Sequence, residues 1–206
     1  MSTAPDIFAE AARNMPRLSH DQARAAAQQL LQLRGAGLRV PSALRGDIEQ
    51  FLFHEARLLD DERYEEWFNL LAEDLFYWMP VQESRNRKDP CGVFDPGNVA
   101  YFDESKADIA LRLRRIRSGV VWTEDPATRH VYMVSNIEAF FTDFSDEYEV
   151  HSVVCQYRSR VENDEATVMA RRRDIVRQID GEFRLARRMI IVPQSVFQNK
   201  NISAFF

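Results

Sequence analysis

Near residue 129 the spacing of apolar residues changes, and that change constrains the fold more than any other feature of the chain. Before it, apolar side chains recur every three or four residues, as helices require. After it they alternate, as half-buried strands require. Four stretches alternate in succession: RHVYMVSNIEAFF, YEVHSVVCQYRSRVEND, EATVMARRRDIVRQID and GEFRLARRMIIV. In the second, Val150, Ser152, Val154 and Gln156 share one face, and His151, Val153, Cys155 and Tyr157 the other. ENDEA and Asp180-Gly181 read as hairpin turns. Helices followed by a run of antiparallel strands predict an α+β layout, in which a curved sheet wraps helices into a cone with an internal cavity.

The helical half begins weakly. Residues 1 to about 20 mix Pro, Ala and isolated charges and read as a loosely ordered tail. HDQARAAAQQLLQLRGAGLRVP predicts one short helix, stopped by Gly35, Gly37 and Pro41. Residues 1–45 are thus expected to form an N-terminal extension with one short helix, and residues 46–206 a single cone domain. A first core helix spans about Asp47 to Leu59. A second begins at Asp60 and Asp61, with Tyr64, Trp67, Phe68 and Leu71 in one stripe and Glu62, Glu65, Glu66 and Glu73 on its polar face. LFYWMPVQ is a short strand that Pro80 confines to an edge or a strand end. ESRNRKDPCGVFDPGN is a loop by composition. DESKADIALRLRRIRSG is a third helix, with Ile109, Leu113 and Ile116 inward and Gly119 closing it.

A net charge of −5 argues against a nucleic-acid footprint, which is basic. The charge is uneven: residues 151–206 carry a net +4, which leaves −9 for the remainder. With two cysteines there is no disulfide framework, and no apolar run is long enough to span a membrane. The opening residues lack the apolar run of a secretory signal, so a cytoplasmic protein is expected.

Cys91 and Cys155 have no histidine within three residues, and His20, His54, His130 and His151 are far apart, so no metal-ligand spacing is present. Cys155 alternates with apolar neighbours and reads as an inert buried thiol. Acid–base chemistry has candidates in FLFHEARLLDDERYEEWFNLLAEDLFYWMP: His54, Asp60 and Tyr64, the set a dehydratase or isomerase of this layout would aim into its cone. His151 is a further candidate. The plain alternative makes the same stretch scaffold. A third reading is a module that holds an apolar ligand in the cone. Arg158, Arg160, Arg171, Arg172, Arg173, Arg177, Arg184, Arg187 and Arg188 fall on neighbouring strands. Cross-strand pairing with Glu162, Asp174 and Glu182 accounts for some of them, and a subunit contact for others.

The ordered set FLFHEARLLDDERYEEWFNLLAEDLFYWMP, RLRRIRSGVVWTEDPATRHVYMVSNI, YRSR, RRRDIVRQIDGEFRLARRMII and NISAFF resembles the small (β) subunit of bacterial aromatic-ring-hydroxylating dioxygenases, over about residues 46–206. Residues 1–45 match nothing in that pattern, and Pro193 stands where an acidic residue is expected. The resemblance implies the cystatin-like, nuclear transport factor 2-like cone, shared with scytalone dehydratase and ketosteroid isomerase. It implies a structural subunit with no catalytic, cofactor-binding or metal residues of its own. The 2Fe–2S Rieske cluster and the mononuclear Fe(II) are then expected on a large (α) partner in an α3β3 hexamer. Ferredoxin and reductase feed such an enzyme, which uses NAD(P)H and O2 to cis-dihydroxylate an aromatic compound. On this reading the opening stretch is scaffold.

Overall fold

Six strands pair in the order β2-β1-β6-β5-β4-β3 in a computed structural model of the chain. The structure describes residues 6–82, 88, 94–118, 128–162, 164–194 and 204–206. The strands are β1 (Leu71–Pro80), β2 (Ala100–Ser105), β3 (Arg129–Phe141), β4 (Glu147–Arg160), β5 (Asp164–Ile179) and β6 (Glu182–Ile191). Every pairing is antiparallel except β1 with β6. The helices are α1 (Ile7–Asn14), α2 (His20–Gln32), α3 (Ser42–Asp60), α4 (Tyr64–Asn69) and α5 (Lys106–Arg117). The α+β class expected from the sequence is the class observed.

The four strands of the second half lie where the alternation puts them. Asp180 and Gly181 have φ of 52° and 82°, the left-handed pair that a two-residue hairpin loop needs. The split of β4 into two faces also holds. Val150, Ser152, Val154 and Gln156 are buried, while His151, Val153 and Cys155 are half-buried and Tyr157 is exposed. Cys155 is therefore not the buried thiol expected; it lies on the outer face.

Three expectations need correction. The supposed tail contains α1, capped by Asp6, whose side chain accepts from the Ala9 N–H. Phe8 on α1 is fully buried and meets Phe68 edge-on at 5.5 Å. Asp60 ends α3 instead of opening the next helix, and α4 stops at Asn69. Leu71 and Glu73 thus belong to β1, where the Leu70 carbonyl accepts from the Leu185 N–H at 2.8 Å. Pro80 ends β1, one of the two places expected for it, and β1 itself lies between β2 and β6. Finally, β2 forms from Ala100 to Ser105, of which the sequence reading left Ala100–Phe102 unassigned and gave Asp103–Ser105 to the third helix. Ser105 and Asp108 form the capping box that begins α5. Cys91, Gly119, Trp122–Pro126 and Asn201–Ser203 lie outside the described residues.

The sheet has two unlike faces. On the inner face α3 lies against β3, α4 and α5 against β1, and α1 against α5. The main core collects there, around Leu52, Leu59, Trp67, Leu113 and Val154. On the outer face α2 packs Ala26, Ala27 and Leu30 over Phe76, Trp78, Met189 and Ile191. That covers the β1–β6 half. Over the far part of β3, β4 and β5 the outer face is open among the described residues, where Val131, Met133 and Met169 are 52 %, 61 % and 57 % exposed, while nearer α2 Leu33 covers Ile175 and Gly35 lies against Phe140 and His151.

Candidate functional site

The register across the inner face builds one row: Glu104 on β2, Tyr77 on β1, Arg188 on β6, Asp174 on β5, Val150 on β4 and Ala139 on β3. Charge alternates along it, and α3 adds Glu55 from above. Arg188 is fully buried. It donates to Glu55 at 2.6 and 3.0 Å and to Asp174 at 3.0 and 2.8 Å, a fork to each carboxylate. Arg172, also buried, donates to Glu55 at 3.2 Å and to Ser152 at 3.0 Å. Two arginines thus face two carboxylates, and the buried charge cancels, as burial without penalty to the fold requires.

The protonation states follow from these contacts. Burial alone would raise the Glu55 carboxyl, but Arg188, Arg172 and hydrogen bonds from Arg188 and Trp67 outweigh it and hold it below its ordinary value. Burial lowers the Arg172 guanidinium, helped by the like charge of Arg188. Burial pushes the Tyr77 phenol up to about 12, so it stays protonated and can donate. Among the described residues, Arg172 Nη2 has no hydrogen-bond partner.

The remaining contacts of this row go to the segment Ala204–Phe206. The Phe206 N–H donates to Tyr77 Oη at 2.6 Å, and Tyr77 Oη donates back to the Phe206 main-chain oxygen at 2.9 Å. Arg188 Nη1 donates to the same oxygen at 2.9 Å. Arg112, paired with Glu104 at 2.6 Å, donates to the Ala204 carbonyl at 3.3 Å. The Phe205 ring lies 4.5 Å from Trp67 and 4.3 Å from the Arg112 guanidinium. Both phenylalanines are buried. The interior of the cone is thus filled at this level by salt bridges and by the chain's own aromatic segment.

Of His54, Asp60 and Tyr64, Tyr64 borders that interior, its ring edge-on to Phe205 at 6.2 Å, and with Asp60 it lies near the buried Tyr132 phenol, whereas no contact among the described residues joins His54 to them. Asp60 accepts from the Tyr132 N–H at 2.8 Å, and burial raises its carboxyl. Tyr64 lines an open surface cleft with Phe8, Glu65 and Arg117. His54 is half-buried on α3, near Glu66, whose carboxyl is held low mainly by its hydrogen bond from Arg63 and only lastly by His54. His151 pairs with Glu149 at 2.6 Å, and Glu149 also accepts from the Gly35 N–H at 2.7 Å, which fastens the loop after α2 to β4. His130 contacts Gln156 at 2.8 Å. Among the described residues no three His, Cys, Asp or Glu side chains converge as a metal set, so they do not fit an iron or cluster site.

Of the arginines singled out by sequence, Arg188 meets Asp174 as a cross-strand pair, Arg184 meets Glu182 on its own strand at 2.6 Å, and no pairing of Glu162 is seen among the described residues. Glu55 and Tyr77 were missed. Their partners are 133 and 129 residues away, and no local pattern announces them.

The sequence and the fold have known counterparts. A family model described as the ring hydroxylating beta subunit matches residues 54–199. The biphenyl 2,3-dioxygenase subunit beta of Rhodococcus jostii (strain RHA1) is 38 % identical over 170 residues, covering 81 % of this chain and 91 % of that one. Among solved structures, naphthalene 1,2-dioxygenase with indole bound superposes with a TM-score of 0.73 at 21 % identity, covering 92 % of this chain and 95 % of that one. A putative scytalone dehydratase from Novosphingobium aromaticivorans DSM 12444 is more distant, with a TM-score of 0.55 at 20 % identity over 74 % of this chain and 85 % of that one. The cystatin-like fold is common to both classes, but the sequence match falls on one of them. The chain belongs to the β subunits of the aromatic-ring-hydroxylating dioxygenases.

Proposed function

We propose that this chain is the structural subunit of a multicomponent dioxygenase that cis-dihydroxylates an aromatic compound in the bacterial cytoplasm, and that it supplies no catalytic, cofactor-binding or metal residue. A larger α subunit would carry the Rieske cluster and the mononuclear iron, three copies of each chain would make the hexamer, and ferredoxin and reductase would deliver electrons from NAD(P)H. The observation that carries this reading is the level of the interior that the described side chains occupy. The level at which an enzyme of this fold would hold a substrate is taken up by Glu55, Arg188, Asp174 and Phe205–Phe206.

The uncovered outer face supports the same reading. Rows Val131–Tyr157–Thr167 and Met133–Cys155–Met169 present apolar and sulfur-bearing side chains to solvent. Such a patch is what a partner covers. Beside it, Arg171 is exposed and forms no ion pair among the described residues. Burial, then the charges of Arg34 and Arg171, lower the Arg173 guanidinium, so this corner gains from a carboxylate brought by the partner.

Expression of the tagged chain in its native host tests the proposal. The expected result is a complex many times the 24.0 kDa of the chain, containing a larger subunit and iron. A well-behaved, iron-free species with no partner would overturn it.

A further inference from the structure

Ala204–Phe206 is held the way a ligand is held. None of its hydrogen bonds described above belongs to a helix or a strand. Side chains read its backbone instead: Tyr77 takes the N–H and supplies the O–H for the main-chain oxygen of Phe206, Arg188 supplies a second donor to that oxygen, and Arg112 reaches the Ala204 carbonyl. Its Phe205 ring is clamped between an indole at 4.5 Å and a guanidinium at 4.3 Å. The lining comes from β1, β6, α4 and α5, elements far from the segment in sequence. Recognition of an amide unit by paired donors and acceptors, beside an aromatic slot, is the anatomy of a small-molecule or peptide site.

We propose that the cone interior is a binding site for an aromatic peptide segment, occupied in cis by Ala204–Phe206, and that the emptied site accepts an aromatic ligand in trans. The site does not depend on the chain's role as a subunit. Burial of two phenyl rings gives the occupant its affinity, and Tyr77 with Arg188 gives it direction. Glu55 and Asp174 hold Arg188 through contacts that do not involve the segment, which favours a slot ready for an occupant.

The test uses the full chain carrying Phe205→Ala, which leaves a phenyl-sized space between Trp67 and Arg112. Thermal melting is followed with and without toluene. The variant should melt below the parent chain. Toluene near a hundred times its dissociation constant should raise that melting point by about 5–10 °C, while the parent, whose site is filled, does not move. A second chain, lacking residues 204–206, should be stabilised by N-acetyl-Ala-Phe-Phe and not by N-acetyl-Ala-Ala-Ala. Adding Tyr77→Phe should weaken that peptide about tenfold. Should the shortened chain not fold, the toluene arm decides. Equal shifts in parent and variant, or none in the variant, would overturn the proposal.

Discussion

Arg188 has no water to fall back on, and its stability depends on how completely its partners answer it. Removing one partner of a buried pair costs about 3–5 kcal/mol, because the charge left behind is uncompensated. Glu55 answers both Arg188 and Arg172. We therefore expect Glu55→Gln to lower unfolding stability in urea by about 3–5 kcal/mol, whereas Glu66→Gln, which breaks an exposed pair with Arg63, should leave the midpoint almost unchanged. The pH dependence has a definite sign. The folded Glu55 carboxyl lies below its ordinary 4.5, so its stabilising contribution is complete above that pH and is lost as pH falls through the folded value. A urea series from pH 7 to pH 3 should show the parent chain losing stability below about pH 4.5 more steeply than Glu55→Gln. The sequence drew attention to His54, one residue away. On a helix one residue is a turn of about 100°. That rotation separates a half-buried histidine from the carboxylate that points into the core, and only the fold decides which of the two faces inward.

At the scale of elements, what was legible followed from local periodicity, and what was not depended on distant partners. The four strands after residue 129 read well because their alternation extends over 10 to 16 residues each. The junction of α4 and β1 did not. Tyr64, Trp67, Phe68 and Leu71 satisfy helical spacing, yet the chain leaves the helix at Asn69, where pairing of Leu70 with Leu185 begins the sheet. A local stripe lost to a contact 115 residues away. Helix α1 was missed because eight residues whose two large apolar side chains, Ile7 and Phe8, are adjacent carry too little pattern, although Phe8 is fully buried. Phe8 lies against Phe68 and under the Arg117 guanidinium at 5.2 Å. Phe8→Ala should cost about 3–5 kcal/mol of stability, as large core truncations do. It should also free α1 from α5, which amide hydrogen exchange over Ile7–Asn14 would register as lost protection. Of the candidate site, the cross-strand meeting of Arg188 with Asp174 was legible from strand pairing. The roles of Glu55, Tyr77 and Phe206 were not, since three separate elements bring them together.

For the whole molecule, the two faces of one sheet divide the work. The inner face is closed by its own helices and by Ala204–Phe206, and among the described residues the outer face is closed over β1, β6 and the part of β5 and β4 under Leu33 and Gly35. A charge placed on the open part should spare the fold and damage assembly. Met133→Asp is expected to leave circular dichroism and melting temperature within a degree or two of the parent chain. The amount of large subunit recovered with the tagged chain should fall about tenfold or more, as loss of an interface anchor does. Unchanged recovery would place the contact elsewhere. The order of strands also sets a schedule for synthesis. Because β6 lies between β1 and β5, a growing chain holds two separate pieces of sheet, β2–β1 and β5–β4–β3, whose inner edges stay open until residues 182–191 leave the ribosome. Until then Glu55 and Asp174 also lack Arg188. A message cut short anywhere before that point yields a product with two raw strand edges and unanswered buried acids, the kind of chain that cellular proteases remove. Strand β6 therefore acts as a check on translation, and only a chain read past residue 191 becomes a stable building block.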